Sequence, residues 1–359
     1  MSDPAHAIEG HRALLLAWYH RAKRALPWRE SRDPWAVWVS EVMLQQTRVD
    51  TVVPYYHRFL ERFGSPEALA SATEQEALAL WSGLGYYRRA RLLQAGARAV
   101  VAEHGGVVPA DHAKLRGLPG VGAYTAGAIG SIAFGLRVPL VDGNVERVLT
   151  RLHGLSGDPR TPPLRQTLWA LAARYADHED PGSVNQGLME LGALVCLPQN
   201  PQCLTCALRD PCAARAEGTP ERWPEKAPKK VPRAEAWSAL VAKSEGKVWL
   251  VESPRGRWEG MLVPPMVAGD AAALLSSLGL APERVQRRGV VTHVLTHARM
   301  QITVYETALD GAPPHARLYP LAGLNAQAVP TMTAKVLEFV DGVSTKPPRR
   351  AGCRRGPAP

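Results

Sequence analysis

The chain has 359 residues, with 43 Lys and Arg against 33 Asp and Glu, a formal surplus of +10. That length suits two domains, and a composition 46% hydrophobic and 21% charged excludes wholesale disorder. No apolar run approaches the ~18–20 residues of a membrane span, and the opening MSDPAHAIEG lacks the basic-then-apolar pattern of a secretion signal. A cytoplasmic protein is therefore expected, with no membrane partner. The positive surplus points to a polyanion, although about +7 of it falls in residues 227–236 and 344–359.

In chain order, Asp33-Pro34 reads as an N-cap followed by proline at the first helical position, with Trp35, Val39, Val42 and Met43 at helical spacing. Glu41 lies among these apolar residues. Burial there would raise its pKa and keep it protonated, whereas a glutamate on the wet face of an amphipathic helix would behave ordinarily. Residues 68–81, 88–101 and 125–134 read as further helices. Between them, Leu118-Pro119-Gly120-Val121-Gly122 predicts a tight hairpin. The helix that follows would aim its first amides and its dipole at an anion such as a phosphate. A plain corner in a helix bundle is the competing interpretation. Ala126, Gly127, Gly130 and Ala133 predict a smooth face against which another helix packs closely. An apolar run over 138–141 then leads to Asp142, positioned to cap a helix over 145–152. Amide donors at such a cap favour the ionised carboxylate.

Four of the five cysteines form the pattern Cys196-X6-Cys203-X2-Cys206-X5-Cys212. Without a secretion signal, thiols this dense suggest metal ligation over disulfides. Loops of these lengths suit a cube of iron and sulfide, and a structural zinc knot is the alternative. Arg209, within the last loop, would present positive charge to a phosphate backbone. Residues 223–233, WPEKAPKKVPR, read as a linker. Beyond it, residues 247–251 and 301–305 look like strands and 271–278 like one helix. The expected organisation is an all-α domain over 1–222, a linker over 223–236, an α+β domain over 237–343 and a basic disordered tail over 344–359.

The hairpin, the Val141-Asp142-Gly143-Asn144-Val145 segment and the cysteine loop, in this order, resemble the helix–hairpin–helix DNA glycosylases. Leu26-Pro27-Trp28-Arg29, residues 39–47 (VSEVMLQQT) and residues 83–87 (GLGYY) narrow the resemblance to the MutY-type adenine DNA glycosylases. It covers nearly all of the chain except the last 16 or so residues. It implies a monomeric base-excision enzyme that removes adenine opposite 8-oxoguanine or guanine in double-stranded DNA, a [4Fe–4S] cluster on the four cysteines, and a Nudix-like second domain. The acid-free stretch 271–280 argues against pyrophosphatase chemistry there.

Breaking an N-glycosidic bond requires a better leaving group and stabilisation of positive charge on the sugar, work that two carboxylates in different protonation states can divide. The resemblance makes Glu41 the acid that protonates adenine at N7 and Asp142 the group that stabilises the oxocarbenium-like sugar, with Asn144 positioning water or carboxylate. Tyr124 stands where related glycosylase/lyases carry a Schiff-base lysine, so release of the base without strand cleavage is implied; its hydroxyl would bond Asp142 or the sugar. Leu44, Gln45, Gln46 and Tyr86 match positions that wedge the duplex or touch bases, and Leu118, Gly120, Val121 and Gly122 form the phosphate-binding hairpin. Thr296 and His297 fall in the loop that reads the oxidised guanine, where Leu295 replaces an aromatic residue. Arg255 and its neighbours through Trp258 would touch the backbone or simply turn the chain. An endonuclease III-like glycosylase/lyase and a noncatalytic DNA-binding protein are the alternatives, disfavoured by Tyr124 and by the paired carboxylates respectively.

Overall fold

The computed structural model describes residues 4–225, 231–254, 256–308 and 313–341. Lys229 and Lys230 of the expected linker, Arg255, Cys353 and the tail 344–359 lie outside the described residues. The chain divides into two compact units, Met1–Ser71 with Leu92–Lys229, and Ala72–Arg91 with Lys230–Pro359. The segment Ala72–Arg91, assigned by sequence to the first domain, thus groups with the second.

Helices in chain order are α1 (Pro4–Ala22), α2 (Pro34–Leu44), α3 (Val49–Arg62), α4 (Pro66–Ala70), α5 (Glu74–Trp81) and α6 (Arg88–His104). They are followed by α7 (His112–Gly117), α8 (Ala123–Phe134), α9 (Gly143–His153), α10 (Pro162–Ala176), α11 (Pro181–Leu194) and α12 (Ala213–Ala216). Among the described residues, the first unit contains no strand. The caps expected from sequence are present: the Asp33 carboxylate accepts from the Trp35 amide at 3.0 Å. The helix expected over 68–81 is instead two. Thr73 and Glu76 form a capping box that starts α5 afresh, because a side chain that satisfies the first amides favours a new N-terminus over continuation. Leu15, Leu149, Leu168, Tyr175 and Leu188 anchor the core where α1, α9, α10 and α11 meet. Trp223, at the start of the expected linker, is buried, and its carbonyl accepts from Arg151 Nε at 3.0 Å.

The hairpin sits between α7 and α8. Gly120 adopts φ +78°, and a Cβ there would stand 2.7 Å from Leu92 Cβ, so glycine is required on both counts. Leu118 and Val121 turn inward and are buried, leaving Gly120 and Gly122 as the exposed backbone. The small-residue face of α8 is filled differently from the sequence expectation. At Gly127 the neighbour is the Pro139 carbonyl of the returning segment that leads to Asp142.

The second unit is α+β, with a seven-stranded sheet. Its strands are β1 (Arg233–Ser244), β2 (Lys247–Glu252), β3 (Leu262–Val263), β4 (Met266–Ala268), β5 (Gln286–Val294), β6 (Ala298–Ala308) and β7 (Ala316–Pro320), with helices α13 (Ala271–Leu278) and α14 (Thr331–Asp341). The order is β3-β2-β1-β6-β5, with β4 on β1 and β7 on β2. Central strands β1 and β6 run parallel, whereas β5 and β6 form an antiparallel pair. Residues 238–242 of β1 are buried without alternation, as befits a strand covered on both faces. Among the described residues, no helix is long and apolar enough to cross a membrane.

Candidate active site

Helix α2 is buried along nearly its whole length, and it carries Glu41 inward at 5% exposure. Tyr124, in the first turn of α8, donates its hydroxyl to Glu41 Oε2 at 2.5 Å and also lies 3.4 Å from Met189 Sδ. The partner of Tyr124 is therefore Glu41, and not Asp142 as one of the sequence expectations had it. Burial raises the Glu41 carboxyl to about 7; Tyr124 and Arg29 pull it down, and the Asp142 charge pushes it up. The Tyr124 hydroxyl is raised well above its ordinary range by burial and by both carboxylates, so it remains a donor.

Asp142 caps α9. Its Oδ1 accepts from the amides of Asn144 at 2.9 Å and Val145 at 2.8 Å, and its Oδ2 accepts from Asn144 Nδ2 at 2.8 Å. Burial pushes its carboxyl up; the cap donors and Arg147 oppose that rise without cancelling it. The cap donors favour the ionised carboxylate, as the sequence led one to expect, but burial is the larger influence.

Beneath Asp142 lies a hydrogen-bonded column that sequence reading missed. Arg147 donates to Asn144 Oδ1 at 2.9 Å, to the Gly192 carbonyl at 2.7 Å and to the Cys196 carbonyl at 2.6 Å. A Cβ on Gly192 would lie 2.6 Å from Asn144 Cβ, so α11 approaches this closely only because the residue is glycine. One turn on, Arg151 donates to the carbonyls of Leu197 at 2.7 Å and Pro198 at 3.0 Å, and lies 3.4 Å from Cys196 Sγ. The available signal was two arginines at i and i+4 beside the apolar positions 145, 148, 149 and 152 of one helix.

The other missed group is Glu190, 1% exposed on α11. It binds Arg24 and Arg29 through paired contacts of 2.7–3.0 Å. Burial works to raise its carboxyl, but the two guanidinium groups outweigh burial and hold it at about 2. Arg29 thus sits between a fixed carboxylate and the neighbourhood of Glu41, whose pKa it lowers. A lone Glu in the helix pattern of 181–194 gave no warning of this.

Cys196, Cys203, Cys206 and Cys212 line one cavity together with Arg151. Among the described residues, no three of His, Cys, Asp and Glu are grouped to hold a single metal ion. Burial pushes the Cys206 thiol up to about 11, with the other cysteines adding to the rise. Arg209 lines the cavity and lies 3.4 Å from Asp210, so its charge is partly matched within its own loop.

Of the remaining residues singled out by sequence, Leu44 is half-buried at the end of α2. Gln45 Nε2 reaches Thr125 Oγ1 at 3.4 Å, and Gln46 is exposed with φ +58°. In the second unit, Tyr86 is 46% exposed with φ +51°, while Tyr87 is buried. A left-handed backbone is unusual for such side chains, and its presence at both Gln46 and Tyr86 marks strain of the kind found at functional sites. The Tyr86 hydroxyl meets Thr296 Oγ1 at 2.8 Å, and the Arg89 guanidinium stacks 5.4 Å from the Tyr86 ring centroid. Thr296 and His297 are exposed, and Leu295 is half-buried.

The HhH-GPD superfamily of base excision DNA repair proteins matches residues 39–174. The chain is 37% identical over 407 residues to the adenine DNA glycosylase of Homo sapiens, spanning 93% of this chain and 74% of that protein. It is 37% identical over 418 residues to the adenine DNA glycosylase of Mus musculus, spanning 97% and 80%. Among solved structures, a thermostable thymine-DNA glycosylase superposes with a TM-score of 0.54 at 29% identity, covering 58% of this chain and 97% of its own. The chain belongs to the adenine DNA glycosylases, within the HhH-GPD superfamily of base excision DNA repair proteins.

Proposed function

We propose that this DNA N-glycosylase hydrolyses the bond between deoxyribose and an adenine mispaired with 8-oxoguanine or guanine, leaving an abasic site in an uncut strand. The observation that carries the reading is a buried Glu41 with a pKa of about 7, hydrogen-bonded to Tyr124 and close enough to Asp142 to feel its charge. A carboxyl poised near neutrality can hold a proton at physiological pH and deliver it to the departing base. Asp142, fixed by three donors, would stabilise positive charge that develops on the sugar. Asn144 orients that carboxylate and is in turn held by Arg147. Tyr124 offers a hydroxyl where a lyase needs an amine, which supports base release without strand scission. The exposed backbone at Gly120 and Gly122 suits a phosphate. The exposed side chains of Gln46, Tyr86, Thr296 and His297 suit contacts with bases.

Four thiols lining one cavity at the spacing Cys-X6-Cys-X2-Cys-X5-Cys fit a [4Fe–4S] cluster held by Cys196, Cys203, Cys206 and Cys212. Such a cluster would stabilise these half-buried sulfurs as thiolates and cross-link the loops on which Arg147 and Arg151 close. The purified protein is expected to be brown with iron and sulfide in equal amounts; a colourless, zinc-containing protein would reject the assignment.

Incubation with duplexes bearing A opposite 8-oxoguanine, G or T tests the activity. Alkali-labile sites should form mainly with the first two, and no strand break should precede alkali. Breaks before alkali treatment would reassign the enzyme to the lyases, and the absence of product from every duplex would remove the adenine reading.

A further inference from the structure

The turn between β5 and β6 is closed by the Leu295 amide, which donates to the Ala298 carbonyl at 2.8 Å and leaves Thr296 and His297 at its tip. Both tip residues are braced. Thr296 meets Tyr86, and the His297 carbonyl accepts from the Arg233 amide at 3.0 Å. The His297 ring has its own partner, Arg257 Nη2, 3.4 Å from Nε2. A guanidinium has donors only, so Nε2 accepts and the proton of the neutral ring lies on Nδ1.

Arg257 is itself held. Its two terminal nitrogens bind both oxygens of Glu235, at 2.8 and 3.1 Å, a planar fork that a single ammonium cannot reproduce. Trp237 Nε1 donates to the same carboxylate at 3.1 Å, and Arg257 also touches Met300 Sδ at 3.3 Å. Glu235 and Arg257 are only about a fifth to a quarter exposed.

We propose that Arg257, anchored by Glu235, is a positioning residue that sets the tautomer of His297, so that the imidazole meets the base opposite the excised adenine with an Nδ1–H donor. The inference rests on the reading that His297 faces that base. Its chemistry favours an oxidised purine: 8-oxoguanine carries a carbonyl acceptor where guanine carries C–H. A donor fixed in advance and directed at that position gains a hydrogen bond there from the oxidised base and none there from guanine.

The test uses the full-length protein labelled with ¹⁵N-histidine at about pH 8. The His297 signals are assigned by their loss in His297→Gln. The wild-type ring is expected as Nδ1–H. Arg257→Met and Glu235→Gln should move it towards Nε2–H, the form a free imidazole prefers, while Arg257→Lys, still a donor, should keep Nδ1–H. In parallel, the ratio of single-turnover excision from A·8-oxoguanine over A·G should fall about tenfold in Arg257→Met, the size of one hydrogen bond. An Nε2–H ring in the wild type, or a ring unmoved by both Arg257→Met and Glu235→Gln in folded protein, overturns the proposal. A ring that moves without any change in the ratio overturns the contact between His297 and the base.

Discussion

Glu41→Gln should reduce the single-turnover rate of adenine release by about 10²–10⁴-fold, the usual range for removal of a general acid, and should at the same time raise thermal stability. Glutamine still offers an oxygen to the Tyr124 hydroxyl and fits the space of Glu41 within the buried α2. What it removes is an ionisable group in a dry site. The folded-state pKa, about 7, lies above the ordinary glutamate value of about 4.5. The folded protein therefore holds this proton more tightly than the unfolded chain does. The stability contributed by that proton is fully present below about pH 4.5 and is lost as pH rises towards 7. Above pH 7 the variant should be more stable than the parent by roughly 3 kcal/mol. Calorimetry at pH 8 alongside the rate assay checks both arms. An active variant removes Glu41 from the chemistry, and a destabilised inactive one would show that its rate had been lost through the fold.

Asp142→Asn should also lose activity, by about 10²–10³-fold if a preorganised charge is removed, but here the relief of a buried charge is offset by lost hydrogen bonding, so any gain in stability should be smaller than for Glu41→Gln. The carboxylate gives one oxygen to two amides and the other to Asn144 Nδ2. An asparagine can keep the amides on its single oxygen, and then its own Nδ2 confronts that of Asn144. One hydrogen bond is lost, a cost of about 1 kcal/mol, and Asn144 is released from its place between Asp142 and Arg147. The two carboxylates are thus distinguished by the size of their effect on stability: burial of Glu41 is opposed by one hydrogen-bond donor, whereas Asp142 also caps the helix that carries it. A clearly larger rise in melting temperature for Glu41→Gln than for Asp142→Asn, measured on the two variants in the same buffer, would be diagnostic.

The features legible in the chain were those that depend on local pattern. The Asp33 and Asp142 caps, the hairpin turn and the cysteine spacing each arise within a few consecutive residues, where short-range sterics and hydrogen bonding dominate. The break between α4 and α5 was local too, but the signal of Thr73 and Glu76 was overridden by apolar spacing that runs across it. What sequence could not show were partnerships set by tertiary packing. Glu190 stands more than 160 residues from Arg24 and Arg29, and nothing in a single glutamate forecasts two arginines from the far end of the chain. The same holds for Tyr124 and Glu41, 83 residues apart, and for Arg257 beside His297. Apolar surroundings gave the direction of the Glu41 shift, because desolvation needs only the burial that helical spacing implies. For Asp142 the cap was visible, whereas the burial that outweighs it was not.

We propose that Glu41 must carry a proton for adenine to leave. The pH dependence of the single-turnover rate on a duplex containing A opposite 8-oxoguanine, with binding kept saturating at every pH, tests this. A descending limb is expected with an apparent pKa of about 7, above which the rate falls roughly tenfold per pH unit. In Tyr124→Phe that limb should move to higher pH, since the Tyr124 hydrogen bond lowers the carboxyl's pKa. A rate that stays level from pH 6 to 9, or that rises across it, would contradict the assignment of Glu41 as the acid.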